Sequence, residues 1–155
     1  MSAVFALWLL HLAATSAMLG LIWMVQVVHY PLFERVSATS YVEYQAAHVR
    51  KITYVVLPLM ACELATAVIF CFAAHPLMIR HWAWLAALVL LGVIWVSTAL
   101  VQVPLHNQLA SGFHPQVHQQ LVKSNWMRTL SWTLRTGLVA YCGYYWFVEV
   151  NLLQT

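Results

Sequence analysis

The stretch WAWLAALVLLGVIWVSTALVQVPLHN, from Trp82 to Asn107, decides the fold. Residues 82–105 contain no charged side chain, and an apolar helix of about 20 residues is long enough to cross a bilayer. The run closes on Gln102-Val103-Pro104-Leu105-His106-Asn107. That ending places an amide, a helix-bending proline, an imidazole and a second amide where an apolar helix meets water. A similar phrase, Gln26-Val27-Val28-His29-Tyr30-Pro31, closes the first apolar run. Two such endings read as two walls of one polar pocket.

The whole chain shares this character. Of its 155 residues, 63% are hydrophobic and 7% charged, against about 25% charged in a soluble domain. Such a chain cannot coat a water-facing surface, so its solvent is largely lipid. Four apolar stretches, about 3–29, 52–74, 82–105 and 126–148, approach spanning length. Residues 1–155 are therefore expected to form one domain: an all-α integral membrane four-helix bundle with its polar pocket toward the cytoplasmic end. The net charge of +3 comes from scattered residues and forms no basic stripe of the kind nucleic acid requires.

Arg35, Arg50, Lys51, Lys123 and Arg128 lie in or beside the first and third connections, and Arg80 in the second. The positive-inside rule then puts both termini outside, most simply in a bacterial inner membrane. The first segment lacks a basic n-region and reads as a span rather than a cleaved signal. Cys62, Cys71 and Cys142 fall inside spans without CxxC spacing and read as small apolar residues.

Pro31 is expected to break the first helix, because the residue before a proline avoids helical angles. Ser40-x-x-Glu43 has capping-box spacing. Tyr41, Tyr44, Gln45, His48 and Ile52 then recur at helical intervals, so the second helix begins as an amphipathic lead-in. Pro58 lies inside that span and Glu63 beyond it. A short outer turn, His75-Pro76 to Arg80-His81, makes helices two and three antiparallel neighbours. Pro115 suits the first turn of the fourth helix. Asn125, Arg128, Trp132 and Arg135 share one face of that helix. The eight tryptophans are expected mostly at lipid-facing or interfacial positions, with Trp132 the exception, and His114, His118 and Lys123 in solvent. The two halves read as weak repeats.

Glu63 and Arg135 each lie roughly ten residues from the inner end of their spans, hence about 15 Å deep at 1.5 Å per residue. Equal depth allows an ion pair. The pair is either a structural clamp that sets register or a functional pair that orients a substrate, proton or metal ligand, because intramembrane charge is costly unless paired. His29, His48 and His106 come from the inner ends of three helices, with Gln26, Gln102, Asn107, Asn125 and Arg128 at nearby depth. Three converging imidazoles would suit copper, iron or zinc, or a haem. A cofactor-free pocket and interfacial histidines are the plainer alternatives. His11, with His75 and His81, could bracket a second site on the outer face.

Val103-Pro104-Leu105-His106-Asn107-Gln108-Leu109 resembles the V-P-L-N-x-x-L phrase that closes the third helix of anthrone-oxygenase-like small membrane proteins. Asn125-Trp126-Met127-Arg128 and Trp132-Thr133-Leu134-Arg135 are similar to that family's W-x-x-x-N-x-x-R phrase, and Pro31 and Pro58 match its proline positions. The resemblance implies a four-helix membrane bundle. It also implies oxidation of anthrones to anthraquinones with dioxygen, with Asn107, Asn125, Arg128 and Arg135 as polar pocket residues. His29, His48 and His106 depart from the family pattern and favour a metal or haem here.

Two functional classes follow. One is a membrane oxidoreductase for a lipophilic phenolic, anthrone-like or quinone substrate, with Arg128, Arg135 and Glu63 as catalytic candidates. Gln26, Gln102, Asn107, Asn125 and Trp132 would then bind cofactor or substrate. The other is a carrier of a small solute, proton or metal, which so small a bundle could form only as a homo-oligomer, or an accessory subunit of a membrane complex.

Overall fold

The structure, a computed structural model, describes residues 3–72 and 82–152. The expected outer turn, with His75, Arg80 and His81, lies outside the described residues, as do residues 73–74 of the second span. Among the described residues every element is helical. There are four rods: α1 (Ala3–Arg35), α2 (Tyr41–Phe72), α3 (Trp82–Leu109) and α4 (Pro115–Leu152). The end at which α1 hands over to α2, and α3 to α4, is called the inner end below.

Helices α1, α2 and α3 are long and apolar enough to cross a membrane. Helix α4 contains the fourth expected span, 126–148, but is less apolar. Its Asn125, Arg128, Ser131 and Arg135 are buried against the other helices, so its polar residues dissolve in protein rather than lipid.

The close helix pairs are α3 with α4, α1 with α2, and α1 with α4. The outer part of α3 therefore leans on α4, while α2 leans on α1. This alters the expectation that α2 and α3 are tight neighbours. Their backbones come close at the inner end, where α2 meets Val103–Leu109. Further out they meet through side chains such as Phe70 and Trp84, whose ring centroids are 5.7 Å apart.

Three apolar clusters stack along the molecule. Phe70, Ala83, Trp84, Cys142 and Trp146 fill the outer part. Met18, Ile22, Met60, Ile94 and Trp132 fill the middle. Val25, Tyr30, Phe33, Tyr41, Leu105, Leu109 and Leu121 fill the inner end. Cys142 joins the outer core while Cys71 is exposed, and all three cysteines are free thiols. The tryptophans divide differently from expectation. Trp23, Trp82 and Trp126 are exposed, but Trp84, Trp132 and Trp146 are buried, because those three face neighbouring helices.

The prolines do not break the rods. The chain passes Pro31 in helical conformation and continues as a 3-10 turn to Arg35. Each relevant proline follows a π turn: Val25–His29 before Pro31, and Thr98–Gln102 before Pro104. In the first, the Tyr30 amide donates to Val25 O, five residues back, at 2.9 Å. In the second, the Val103 amide donates to Thr98 O. A proline ring collides with the carbonyl four residues earlier. Those carbonyls belong to Val27 and Leu100, both within the widened turns. The extra residue opens the turn and lets the helix continue.

Capping at α2 is also simpler than the sequence spacing suggests. Among the described residues, Ser40 and Glu43 side chains make no reciprocal bonds, and Ser40 contributes its carbonyl to the Tyr44 amide at 3.0 Å. Pro115 begins α4 as expected.

Gly143 permits the α1–α4 approach, since a Cβ there would strike the indole of Trp8. Gly20 faces open space instead. Replacing Gly143 by Leu should lower stability by about 1–3 kcal/mol, as overpacking does, whereas Gly20→Ala should be neutral or stabilising. Thermal unfolding in detergent compares the two.

Candidate functional site

Two polar layers cross the bundle. The deeper is built around Arg135 of α4 and Glu63 of α2, both fully buried. The Arg135 guanidinium donates through Nε to Glu63 Oε1 at 3.0 Å and through Nη1 to Ala87 O at 2.7 Å. Its Nη2 lies 3.1 Å from His11 Nε2. Trp132 Nε1 donates to the other carboxylate oxygen of Glu63 at 3.0 Å.

The tautomer of His11 follows from these bonds. The Thr66 hydroxyl proton is given to Cys62 O at 2.6 Å, so Thr66 Oγ1 can only accept from His11 Nδ1, 2.6 Å away. His11 is then neutral, with a bare Nε2 that accepts from Arg135. The expected Glu63–Arg135 pair is thus present and ties all four helices through α1 His11, α2 Glu63, α3 Ala87 and α4 Arg135. Both oxygens of Glu63 and all three nitrogens of Arg135 are engaged within the protein. The layer is arranged as a clamp, and His11 belongs to it rather than to an outer site.

The second layer lies nearer the inner end, on the two π turns. Gln26 and Gln102 are buried there. Asn125 Nδ2 donates to Gln26 Oε1 at 2.9 Å, and Gln26 Nε2 donates to Val122 O at 3.2 Å. The Thr129 hydroxyl lies between Gln26 Oε1 and Asn125 O, at 3.3 and 3.1 Å. Gln102 Nε2 donates to Ser124 Oγ at 3.0 Å. In this way the glutamines of α1 and α3 both grip α4.

Arg128 is 5% exposed. Although it lies beside the third connection in sequence, it is an inward cation, as its place on the shared α4 face leads one to expect. Its Nη1 donates to Asn125 Oδ1 at 3.1 Å, and its guanidinium lies 5.3 Å from the Trp132 ring centroid. Trp132 consequently links the layers, with its indole nitrogen on Glu63 and its ring face under Arg128.

The three inner histidines do gather. The His48 ring centroid is 4.6 Å from that of His29 and 5.4 Å from that of His106. Four of their nitrogens meet protein partners, while His48 Nε2 is buried without one. His29 Nε2 and His48 Nδ1 face each other at 2.8 Å. His106 Nε2 meets the Tyr30 hydroxyl at 2.9 Å, and its Nδ1 meets Gln45 Nε2 at 2.9 Å. Among the described residues no three His, Cys, Asp or Glu side chains are grouped to hold a metal ion. The donor set as arranged does not fit one, because two rings bond each other and the third is held at both nitrogens.

His118, expected in solvent, is 7% exposed and its Nε2 donates to Tyr30 O at 2.8 Å. It supports a carbonyl in the loosened stretch around Pro31. His114 and Lys123 are exposed as expected.

A cavity of about 230 Å³ begins at this inner layer and opens sideways between α2 and α3. Leu21, Ile22, Val56, Met60 and Trp95 give it hydrocarbon walls, and Tyr30, Gln102, His106, Asn107 and Arg128 close its inner end. Val49, Leu57 and Val103 are exposed along the mouth. The volume is below the roughly 300–1,000 Å³ of drug-sized ligand sites and is too small to enclose a porphyrin. Two buried polar atoms on its lining residues, Arg128 Nε and Gln102 Oε1, have no protein partner, nor has Gln45 Oε1 behind His106.

The sequence-derived residues thus separate. Arg128, Gln102, Asn107 and His106 line the cavity. Gln26 and Asn125 brace Arg128 from behind. Glu63, Arg135 and Trp132 form the deeper clamp, and His29 and His48 pair beside the pocket. Tyr30 and Gln45 escaped the sequence reading as site residues. Tyr30 lies inside the first quoted phrase, and Gln45 shares a helical face with His48, which is the signal that could have marked them. No protein-family model matches the chain, and neither does a curated protein or a solved structure.

Leaving one member of a buried ion pair uncompensated costs about 3–5 kcal/mol. Glu63→Gln and Arg135→Gln should each destabilise the protein on that scale, and Glu63→Leu with Arg135→Leu together should recover much of the loss. Unfolding midpoints in detergent, compared with Arg128→Gln, measure this. Equal small effects for all variants would remove the clamp reading.

Proposed function

We propose that this chain is a four-helix bundle of a bacterial inner membrane, with both termini outside. In this reading it takes a lipophilic phenolic, anthrone-like or quinone-like molecule from the bilayer and acts on it as an oxidoreductase, with the anthrone-like methylene oxidised by dioxygen. The observation that carries the reading is the lining of the cavity. Hydrocarbon walls open toward lipid, and buried Arg128, Gln102 and Tyr30 with half-buried His106 close the inner end. Arg128 and Gln102 line that end, so their guanidinium and amide suit an oxygen and a hydroxyl of a ligand.

The chemistry is proton transfer at that polar end. With the Gln45 amide turned so that its oxygen accepts from His106 Nδ1–H, His106 Nε2 can take the Tyr30 proton as Tyr30 takes one from the substrate. Arg128 then faces the phenolate or enolate oxygen and stabilises its charge beside apolar walls. For an activated methylene, the carbanion adds dioxygen and the resulting hydroperoxide loses water. One CH2 and one O2 give one C=O and one H2O, with no further reductant.

No step here passes through copper, iron, zinc or haem. The deep clamp and the outer aromatic cluster fill the bundle beyond the cavity, which favours a one-ended pocket over the through-going path a carrier needs.

Substrate-dependent dioxygen consumption by the purified protein tests the proposal, with metal content and the visible spectrum read on the same sample. Tyr30→Phe, His106→Ala and Arg128→Gln should each lower turnover by about 10²- to 10³-fold while leaving the unfolding midpoint near that of the parent. Full turnover in Arg128→Gln would sink the proton-transfer scheme. Stoichiometric copper or iron that disappears in His48→Ala would replace it with a metal-centred one.

A further inference from the structure

The cavity is one part of a longer seam. Outward along α2 and α3 a second groove is lined by Leu64, Ala67, Val68 and Cys71 on one side and Leu88, Leu91, Gly92 and Trp95 on the other. Trp95 lines both this groove and the cavity, so the two adjoin along the α2–α3 seam. The groove presents almost no polar surface, whereas the cavity ends in Arg128, Gln102, Tyr30 and His106. From Met60, at the cavity, to Cys71, at the far end, α2 rises about 16 Å at 1.5 Å per residue. Gly92 has open space above it, since a Cβ there would meet nothing within 4 Å. The outer part of α3 leans on α4 rather than α2, and that leaves the seam accessible from the side.

We infer that the natural ligand is a chain-bearing amphiphile, a phenol or hydroquinone head with a long hydrocarbon tail. The head meets Arg128 and Gln102, and the tail lies along the α2–α3 groove past Trp95 and Gly92. The inference rests on the head-site reading above. The juxtaposition of a polar-ended pocket with an apolar channel running on from it distinguishes this ligand from a compact polycyclic molecule. A compact ring system would fill the cavity and leave the groove to bilayer lipid. In a membrane the tail gains nothing from leaving water. Its contribution comes from packing against Trp95 and the groove walls and from holding the head at the inner depth.

Equilibrium binding to the protein in phospholipid nanodiscs, with protein-free nanodiscs subtracted, tests this with three probes: methylhydroquinone, decylhydroquinone and decanol. Decylhydroquinone should bind at least about tenfold more tightly than methylhydroquinone, a difference of one decade in Kd. Gly92→Trp, which fills the groove without striking a neighbour at its Cβ, should abolish that difference and leave methylhydroquinone binding unchanged. Gly20→Trp, on α1 and equally unobstructed at its Cβ, should leave both probes unaffected.

A tail preference that survives Gly92→Trp overturns the inference. So does displacement of decylhydroquinone by equal concentrations of decanol, which would make the groove a place for bilayer lipid. Absence of decylhydroquinone binding overturns it as well. Arg128→Gln should weaken both hydroquinones alike. If it changes neither while Gly92→Trp still removes the preference, the head-site reading fails and the tail groove stands.

Discussion

The Glu63–Arg135 pair is the constraint on which the remaining structure depends. Two charges removed from water require each other and further donors and acceptors before their burial becomes tolerable. Here those partners come from every helix: the imidazole of α1, the carboxylate of α2, a backbone carbonyl of α3 and the guanidinium of α4. Apolar packing in lipid distinguishes helix rotations weakly, because lipid tails are as apolar as leucine. A directional polar network distinguishes them strongly. Once His11, Glu63, Ala87 and Arg135 are brought together, the depth and rotation of each rod are set. Trp132, bonded to Glu63, carries that setting one turn along α4 to Arg128.

The inner layer uses this frame differently. It is only partly satisfied from within, and Arg128 and Gln102, whose side chains keep unpartnered atoms, also line the cavity. Gln26, Asn125 and Thr129 brace one another at the back of Arg128, which fixes the guanidinium without exhausting its donors. A clamp and a binding site can therefore sit a few residues apart on one helix. The distinction lies in whether the protein completes its own hydrogen bonds.

Much of this was legible in the sequence. Composition excludes a soluble domain, the long apolar runs give the helices, and equal depth pairs Glu63 with Arg135. The two Gln–His–Pro endings also mark the pocket wall. What was not legible depends on rotation and on local helical pitch. Arg128 is marked as a pocket residue by sharing a helical face with Asn125, Trp132 and Arg135, but its separation from the Glu63–Arg135 clamp is not encoded in that spacing. His118 reads as solvated because its position beside the third connection says nothing of the direction it points. Pro31 reads as a break because the π turn that relieves it has no side-chain signature. The histidines gather as expected, but whether imidazoles converge on a metal or bond one another is decided by ring orientation, which spacing does not encode. Tyr30 carries no spacing signal of its own within the Gln26–Pro31 phrase, and its role emerges only from His106 at 2.9 Å.

The two π turns give the pocket a dependence on counting. An α-helix advances about 100° per residue, so the single extra residue in each widened turn offsets everything beyond it by that angle. Gln26 and Gln102 lie within these turns and reach α4, and Tyr30 and His106, which follow them, reach each other. A one-residue deletion within 25–29 or 98–102 would leave a helix as long, as apolar and as well inserted as before. It would nevertheless turn the residues after it onto the wrong azimuth. In this protein hydrophobicity encodes the span and residue number encodes the site, so the two can change independently over evolutionary time.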